Sequence, residues 1–164
     1  MTRAHVALGS NLGDRLATLD AAVRALDADE ETHVMAVSRV YESEPVGGRE
    51  QGPYLNAVAV LETDRDPHSL LDLLMLTEDR LGRVRGERWG PRTADLDLIL
   101  YDGPPVSSPD LTVPHPRARE RAFVLVPLME VDPYASFPDG ETAAEALVRL
   151  GPVSGVVPVG ELEA

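Results

Sequence analysis

The sequence contains no cysteine and no lysine, and aromatic residues make up only 4% of its 164 positions. Without cysteine the chain has no disulfides, no thiolate zinc site and no thiol nucleophile. Any metal ion must therefore be bound by oxygen atoms or by histidine nitrogen. No apolar run approaches the roughly 18 residues that a membrane-spanning helix needs, and the first residues lead into predicted structure without the apolar segment of a signal peptide. We expect one cytoplasmic, monomeric domain over residues 1–164 with no membrane partner.

Negative charge dominates the chain, whose formal net charge is -13 at pH 7. Such a chain is repelled by nucleic acid unless its positive charge is concentrated, and no nucleic-acid partner is expected. All 15 basic residues are arginine. Five of them lie close together, at Arg80, Arg83, Arg85, Arg88 and Arg92. Because a guanidinium presents a planar fork of donors to phosphate, this cluster predicts an anion-binding patch, with a solvated charged loop as the alternative.

Apolar periodicity predicts alternating strands and helices in the first two thirds of the chain. Strands are predicted over residues 5–8, 34–41, 54–61 and 95–101, one helix after a cap at Asn11 or Asp14, and another over residues 67–81. The first helix is expected to bury a stripe of Leu12, Leu16, Leu19, Val23 and Leu26. The order strand, helix, strand, strand, helix, strand is the split βαβ signature of an α+β fold, with an antiparallel sheet and both helices on one face. Further helices are predicted over residues 117–131 and 142–150.

Two aspartates begin the predicted strand 95–101. Because side chains alternate along a strand, Asp95 and Asp97 point to one face, roughly 6 to 7 Å apart, and Leu96, Leu98 and Leu100 point to the other. A divalent cation would relieve the repulsion between the carboxylates, and magnesium prefers one or two carboxylates together with water and phosphate oxygens. The pair therefore predicts a magnesium site, while a hydrated edge strand is the alternative.

Other residues of the chain suit a flat heteroaromatic ligand. Tyr54 and Asn56 share a face of their strand, and Trp89 and Phe123 could stack on a ring whose edge the amide reads. Each of these side chains could instead belong to the core. His115 lies between two prolines, where a stiff loop would present it to a phosphate or a ribose.

The run from Arg88 to Asp97 resembles the signature of the 6-hydroxymethyl-7,8-dihydropterin pyrophosphokinases of the folate pathway. Matching segments follow in the same order at residues 7–14, 54–56, 82–85, 111–116 and 137–140. The resemblance implies a ferredoxin-like α+β fold. It also implies transfer of the β,γ-pyrophosphoryl group of ATP to the hydroxymethyl oxygen of the reduced pterin, with release of AMP.

The same resemblance implies a role for particular residues. Asp95 and Asp97 would bind two Mg²⁺ ions, and Arg83 and Arg92 would act on the phosphates in the transition state. The ATP side would comprise Arg85, Trp89, Arg92, Leu98, Thr112, His115 and Arg121. The pterin side would comprise Ser43, Pro45, Val46, Tyr54, Asn56, Trp89, Asp95 and Phe123. Loops over residues 43–53 and 82–93 would close over the substrates and exclude water.

Two other functions use parts of the same pattern. A metal-dependent phosphohydrolase or nucleotidyltransferase would need the two aspartates but no pterin pocket. A ligand-binding or RNA-binding module is a common use of the split βαβ fold. The acidic net charge argues against RNA, and a simple binding domain leaves the aspartates beside the arginine cluster unexplained.

Overall fold

The computed structural model describes residues 1–10, 14–43, 54–81, 94–153 and 155–162. Within these ranges the strands are β1 (Thr2–Ser10), β2 (Thr32–Val37), β3 (Val40–Ser43), β4 (Tyr54–Thr63), β5 (Asp95–Tyr101), β6 (Val106–Ser107), β7 (Thr112–Val113) and β8 (Val156–Gly160). The helices are α1 (Arg15–Asp27), α2 (Pro67–Arg80), α3 (Ala122–Val131) and α4 (Ala143–Leu150), with a 3-10 turn at Ala118–Glu120. None of the helices described here has the length and apolar content that crossing a membrane requires.

The main sheet is antiparallel, in the order β5-β1-β4-β3-β8, and β2 also pairs with β4. This confirms the predicted ferredoxin-like α+β fold. The prediction of a single strand over residues 34–41 is wrong, because strand pairing is interrupted at Ser38 and the segment forms two strands, β2 and β3. There the Ser38 backbone N donates to the Val58 carbonyl and the Ser38 hydroxyl accepts from the Val58 N–H, both at 2.9 Å. A side chain thus replaces part of the backbone ladder at the break.

Helices α1 and α2 cover one face of the sheet, as predicted. Asp14 is the N-cap of α1 and accepts from Ala17 N at 3.1 Å, whereas Asp66 caps α2 and accepts from Ser69 N at 2.8 Å. Within α1 the buried leucines begin at Leu19, because Leu16, which was predicted to be buried, is 43% exposed. Leu12 lies outside the described residues. The apolar core on this face includes Leu8, Leu19, Val23, Leu26, Leu61, Leu70, Leu74 and Leu98.

The C-terminal helices cover the opposite face, where a second core contains Val58, Ile99, Leu100, Leu125, Leu128 and Phe137. The prediction that Leu100 faces away from Asp97 is wrong. Strand β5 shifts register, so that Leu98 pairs with Val6 and Leu100 with His5, leaving Ile99 as an extra residue. After such a bulge, the side chains point to the opposite face of the sheet from the one that simple alternation would give. Leu100 therefore packs on the same face as α3.

Two C-terminal elements differ from the sequence prediction. The helix predicted over residues 117–131 is a 3-10 turn followed by α3, because Arg121 between them has an extended backbone, with φ -119° and ψ 104°. Strand β8 pairs with β3 and was not predicted. Its Pro158 and flanking glycines are poor strand formers, which is typical of an edge strand.

Candidate active site

A cavity of about 230 Å³ opens on the face of the sheet that α3 covers. Strands β1, β3, β4 and β5, the His115 loop and the start of α3 all contribute to it. Its lining residues are Ala7, Leu8, Gly9, Ser43, Tyr54, Asn56, Ala57, Asp95, Asp97, Ile99, His115, Arg121, Phe123 and Val124. The structure thus brings the two aspartates, the histidine and the aromatic and amide residues of the sequence analysis to one place.

Four residues lie in one row across the sheet at the base of this cavity. Gly9 on β1 is the register partner of Asp95 on β5 and also of Asn56 on β4. Asn56 in turn pairs with Tyr41 on β3. Neighbouring strands lie about 4.8 Å apart, so the backbones of Asp95 and Asn56 are about 10 Å apart with only a glycine between them. We call these four residues the register row.

The two aspartates stand at the edge of the sheet, where α2 supports the strand that carries them. The N–H of Leu96, between Asp95 and Asp97, donates to Glu78 Oε2 at 2.9 Å. Glu78 is buried, at 8% exposure, although it carries a carboxylate. Sequence analysis gave this glutamate no role, although it follows the buried Leu74 by about one helical turn and therefore lies on the face of α2 that packs on the sheet.

Asp97 is exposed and Asp95 is half-buried. Among the described residues, no group of three or more histidine, aspartate or glutamate side chains could enclose a metal ion. A pair of carboxylates that open into a cavity is nevertheless the donor set that Mg²⁺ takes when phosphate and water complete its octahedron. The residues present therefore fit magnesium better than a metal that needs a closed protein cage.

The amide of Asn56 is held in one orientation. Its Nδ2 donates to Ser43 Oγ at 2.6 Å, and both residues are buried. A Cβ atom added to Gly9 would lie 3.6 Å from Asn56 Oδ1. Glycine in the register row therefore keeps open the space beside this oxygen. Tyr54 and Phe123 contribute the aromatic lining of the same region.

His115 is positioned by its backbone and by its ring. Its N–H donates to the carbonyl of the bulged residue Ile99 at 3.0 Å. Its Nδ1 accepts from Arg117 N at 3.2 Å, which leaves the proton of a neutral ring on Nε2. Burial lowers the pKa of His115 below 6.5; Asp97 opposes this shift, whereas Arg121 and Arg117 add to it. At neutral pH the ring is therefore an uncharged donor at the cavity.

Arg121 lies just before α3, and its guanidinium carbon is 5.6 Å from the centre of the Phe123 ring. Cation and aromatic ring are close enough for a cation–π interaction. Both residues line the cavity, so this contact joins a positive charge to the aromatic region.

Some predicted site residues do not line the cavity. The Leu98 side chain is buried in the core beneath α1 and α2 and does not line the cavity. Thr112 is exposed on β7 and is not among the lining residues. The remaining predictions, Pro45, Val46, Arg83, Arg85, Trp89 and Arg92, lie outside the described residues. Sequence analysis missed the lining roles of Ala7, Ile99 and Val124, which are small or apolar and carry no chemical signal.

The cavity, acidic at one end and aromatic at the other, is the binding site of a protein that acts on small molecules. Residues 5–133 match the 7,8-dihydro-6-hydroxymethylpterin-pyrophosphokinase (HPPK) family. The chain belongs to this family.

Curated relatives are similar over most of the chain. A 2-amino-4-hydroxy-6-hydroxymethyldihydropteridine pyrophosphokinase of Methylorubrum extorquens is 47% identical over 156 residues, covering 95% of this chain and 98% of the relative. Proteins of the same name are 46% identical over 128 residues in Bacillus subtilis, covering 78% of this chain and 77% of the relative, and 43% identical over 154 residues in Pseudomonas aeruginosa, covering 94% of both.

Solved structures support the fold. A crystal structure of HPPK-DHPS in complex with substrates is similar over 91% of this chain, with a TM-score of 0.70 and 11% identity. Wild-type Plasmodium falciparum HPPK-DHPS with SDX-DHP is similar over 90% of this chain, with a TM-score of 0.69 and 12% identity. This chain spans 45% and 44% of the length of those two proteins.

Proposed function

We propose that the chain transfers the β,γ-pyrophosphoryl group of ATP to the hydroxymethyl oxygen of 6-hydroxymethyl-7,8-dihydropterin, giving AMP and the pterin diphosphate for folate biosynthesis. The observation that carries this proposal is the register row, in which Gly9 alone separates Asn56 from Asp95. A flat ring bound at Asn56 would extend a short arm over the glycine toward the two aspartates.

The aromatic end of the cavity suits the pterin. Tyr54 and Phe123 would pack on the faces of the ring, and the oriented amide of Asn56 would read a ring edge that offers both a donor and an acceptor. Pro45, Val46 and Trp89 belong to the pterin side of this proposal through the family resemblance. Ser43 would act through Asn56, since its hydroxyl already accepts from the amide.

The acidic end suits a metal-bound triphosphate. Asp95 and Asp97 would hold two Mg²⁺ ions, which supply charge neutralisation of the phosphate oxygens and alignment of the reacting groups. His115 Nε2–H and the Arg121 guanidinium lie at the same cavity and would donate to phosphate oxygens. By resemblance, Arg83 and Arg92 would add positive charge where negative charge develops.

The proposed reaction breaks one phosphoanhydride bond. The hydroxymethyl oxygen attacks the β-phosphorus, and the bond from that phosphorus to the oxygen bridging to the α-phosphorus breaks. AMP leaves with the bridging oxygen, and the hydroxyl proton passes to solvent. In this step the chain's own residues orient the acceptor through Asn56 and stabilise the phosphate oxygens through His115 and Arg121.

The backbone of β5 offers a contact for the nucleotide base. Because Leu96 N–H points away from β1 to Glu78, the backbone groups of Leu98 point to the same side by strand alternation. A planar base could pair with that N–H and C=O, so Leu98 would contact ATP through its backbone. Arg85, Trp89 and Thr112 complete the proposed ATP side through the resemblance.

The proposal includes a single catalytic domain that acts as a cytoplasmic monomer. The support for a single domain is that the six strands β1, β2, β3, β4, β5 and β8 belong to one sheet.

The test is to incubate the protein with ATP, Mg²⁺ and the reduced hydroxymethylpterin and to identify the nucleotide product by chromatography and ³¹P NMR. We expect AMP and the pterin diphosphate in equal amounts, and neither product when the pterin or Mg²⁺ is omitted. Formation of ADP would identify an ordinary kinase. AMP and free pyrophosphate released without pterin would favour the phosphohydrolase alternative.

A further inference from the structure

Three residues outside the cavity tie α3 to β3. Glu130, in the last turn of α3, accepts hydrogen bonds from the backbone N of Arg39 at 2.6 Å and from Arg39 Nε at 2.7 Å. The Tyr41 hydroxyl also donates to the Glu130 carboxylate. We call Arg39, Tyr41 and Glu130 the α3 anchor. The anchor joins a helix and a strand that both contribute to the cavity.

The strand side of the anchor belongs to the register row. Tyr41 is the register partner of Asn56, so its ring lies beside the amide on the cavity face of the sheet. Tyr41 is only 4% exposed, whereas the side chains of Arg39 and Glu130 are 51% and 27% exposed. The hydroxyl thus makes the buried part of the contact.

The helix side of the anchor leads to Phe123. Glu130 follows Phe123 by seven residues, which is close to two helical turns, so the two side chains share one face of α3 about 10 Å apart. The helix spans Ala122–Val131 and contains Pro127, which lies between Phe123 and Glu130 and cannot donate a backbone hydrogen bond to the Phe123 carbonyl. Because Phe123 and Glu130 still belong to one helix, a change in the separation between Glu130 and Tyr41 would alter the tilt of the helix and the position of Phe123.

A second contact at the same end secures the helix independently. Asp132, just after α3, accepts from His5 Nε2 on β1 at 2.8 Å. Loss of the Tyr41 hydroxyl would therefore leave α3 attached to the sheet through Arg39 and Asp132 and would remove only the buried hydrogen bond to Glu130.

We propose that Tyr41 and Glu130 are positioning residues, which set the gap between Phe123 and Tyr54 that a flat ring must fill. The identity of that ring rests on the proposed function above, but the positioning itself does not. Burial raises the pKa of the Glu130 carboxyl, but the hydrogen bonds from Tyr41 and Arg39 outweigh burial and hold the pKa below 4.5. The carboxylate is therefore ionised at neutral pH and accepts these bonds strongly.

Tyr101 provides a matched control for removing the Tyr41 hydroxyl. Its hydroxyl also donates a hydrogen bond, to the Arg65 carbonyl at 2.6 Å, but its ring packs on the opposite face of the sheet. We expect Tyr41→Phe to raise KM for the pterin about three- to tenfold and to leave KM for ATP unchanged, as loss of one hydrogen bond would. Tyr101→Phe should change neither constant. The proposal is overturned if Tyr41→Phe leaves KM for the pterin unchanged or raises both constants equally.

A structural measurement tests the positioning without any ligand. In NMR spectra of the free protein, Tyr41→Phe should shift the backbone amide signals of Phe123 and Val124, and Tyr101→Phe should not. If the wild-type protein shows no pterin-dependent turnover, the proposed function is refuted but the positioning role is not. The NMR measurement then tests the positioning role by itself. Unmoved Phe123 and Val124 signals would then refute the positioning role.

A double-mutant cycle tests whether Tyr41 acts through Glu130. If it does, Tyr41→Phe added to Glu130→Ala raises KM for the pterin no further than Glu130→Ala does. Effects that multiply would show that Tyr41 acts independently of Glu130 and would overturn the anchor.

Discussion

Asp95 and Asn56 lie on strands that do not touch, yet they share Gly9 as their register partner. The carboxylate that would hold the metal and the amide that would read the acceptor are thereby fixed two strands apart on one rigid sheet. Transfer of a group between two bound substrates depends on a fixed distance between their binding sites more than on any single contact.

Replacing Gly9 by alanine tests the space between the two ends of the site. The added methyl group would lie at ordinary contact distance, 3.6 Å, from Asn56 Oδ1, so the fold should tolerate it. We expect the free energy of unfolding to change by less than about 1 kcal/mol. The methyl group nevertheless occupies the path of the acceptor's arm, so kcat/KM for the pterin should fall about tenfold or more. In Gly9→Val, kcat/KM for the pterin should be lower still. Unchanged turnover in both variants would refute the proposed path of the acceptor's arm.

Removing the Asp97 carboxylate tests the metal site. Asp97 is exposed, so Asp97→Ala should fold as well as the wild type, while turnover should fall by at least about 100-fold because a metal ligand is lost. Asp102→Ala is the matched control, since Asp102 is also exposed and follows the same strand. Circular dichroism and the AMP assay separate the two effects. If Asp97→Ala unfolds, or if Asp102→Ala is equally inactive, the carboxylate is not a specific metal ligand.

The hydroxyl of Ser43 should control the orientation of the Asn56 amide. In Ser43→Ala the Asn56 Nδ2 loses the acceptor at 2.6 Å, and the amide is free to turn. We expect KM for the pterin to rise about three- to tenfold, with KM for ATP unchanged. Ser43→Thr keeps a hydroxyl and should retain most of the wild-type affinity. Equal loss in both variants would point to steric disturbance of β3 instead of hydrogen bonding.

Acid should remove the stabilisation that Asp29 provides. Hydrogen bonds from Arg65 lower the pKa of Asp29 from 3.8 to about 2, with burial opposing the shift. Arg65 Nε and Nη2 lie 2.9 and 2.8 Å from the two carboxylate oxygens. Because the pKa is lower in the folded chain, the carboxylate stabilises the fold fully above pH 3.8, and the contribution is lost as the pH falls toward 2.

The measurement compares wild type with Asp29→Asn in chemical unfolding from pH 6 down to pH 2. The wild type should be more stable at pH 6, and the difference should shrink below about pH 4. If the difference in the free energy of unfolding stays constant over this pH range, the negative charge of Asp29 does not contribute to stability.

The sequence was sufficient for elements whose pattern is local. The acidic and apolar alternation of residues 95–101 predicted β5 with its observed bounds, and Pro67 and the apolar spacing of residues 67–81 predicted α2 to within one residue. Asp14 was one of two proposed caps for α1, and it is the cap that forms. In each case the residues that decide the structure are neighbours in the chain.

Features that depend on distant pairing could not be predicted in the same way. Nothing near Gly9 indicates that Asn56 and Asp95 are both its partners, because that register is set by two separate strand pairings. The break at Ser38 depends on Val58 on another strand, and the support of Leu96 depends on Glu78 on a helix. The residues themselves suggested that Tyr54, Asn56 and Phe123 bind a flat ring, and the family resemblance implied that the ring is a pterin, whereas the α3 anchor required the folded geometry.

The bulge at Ile99 has a consequence for how β5 can change. One inserted residue both turns Leu100 into the core beneath α3 and offers its carbonyl to His115. A deletion at this point would bring Leu100 out of that core and would detach the histidine loop at the same time. The length of β5 is thus constrained twice, by the packing of Leu100 in the core and by the hydrogen bond that holds His115. A change in length would affect both.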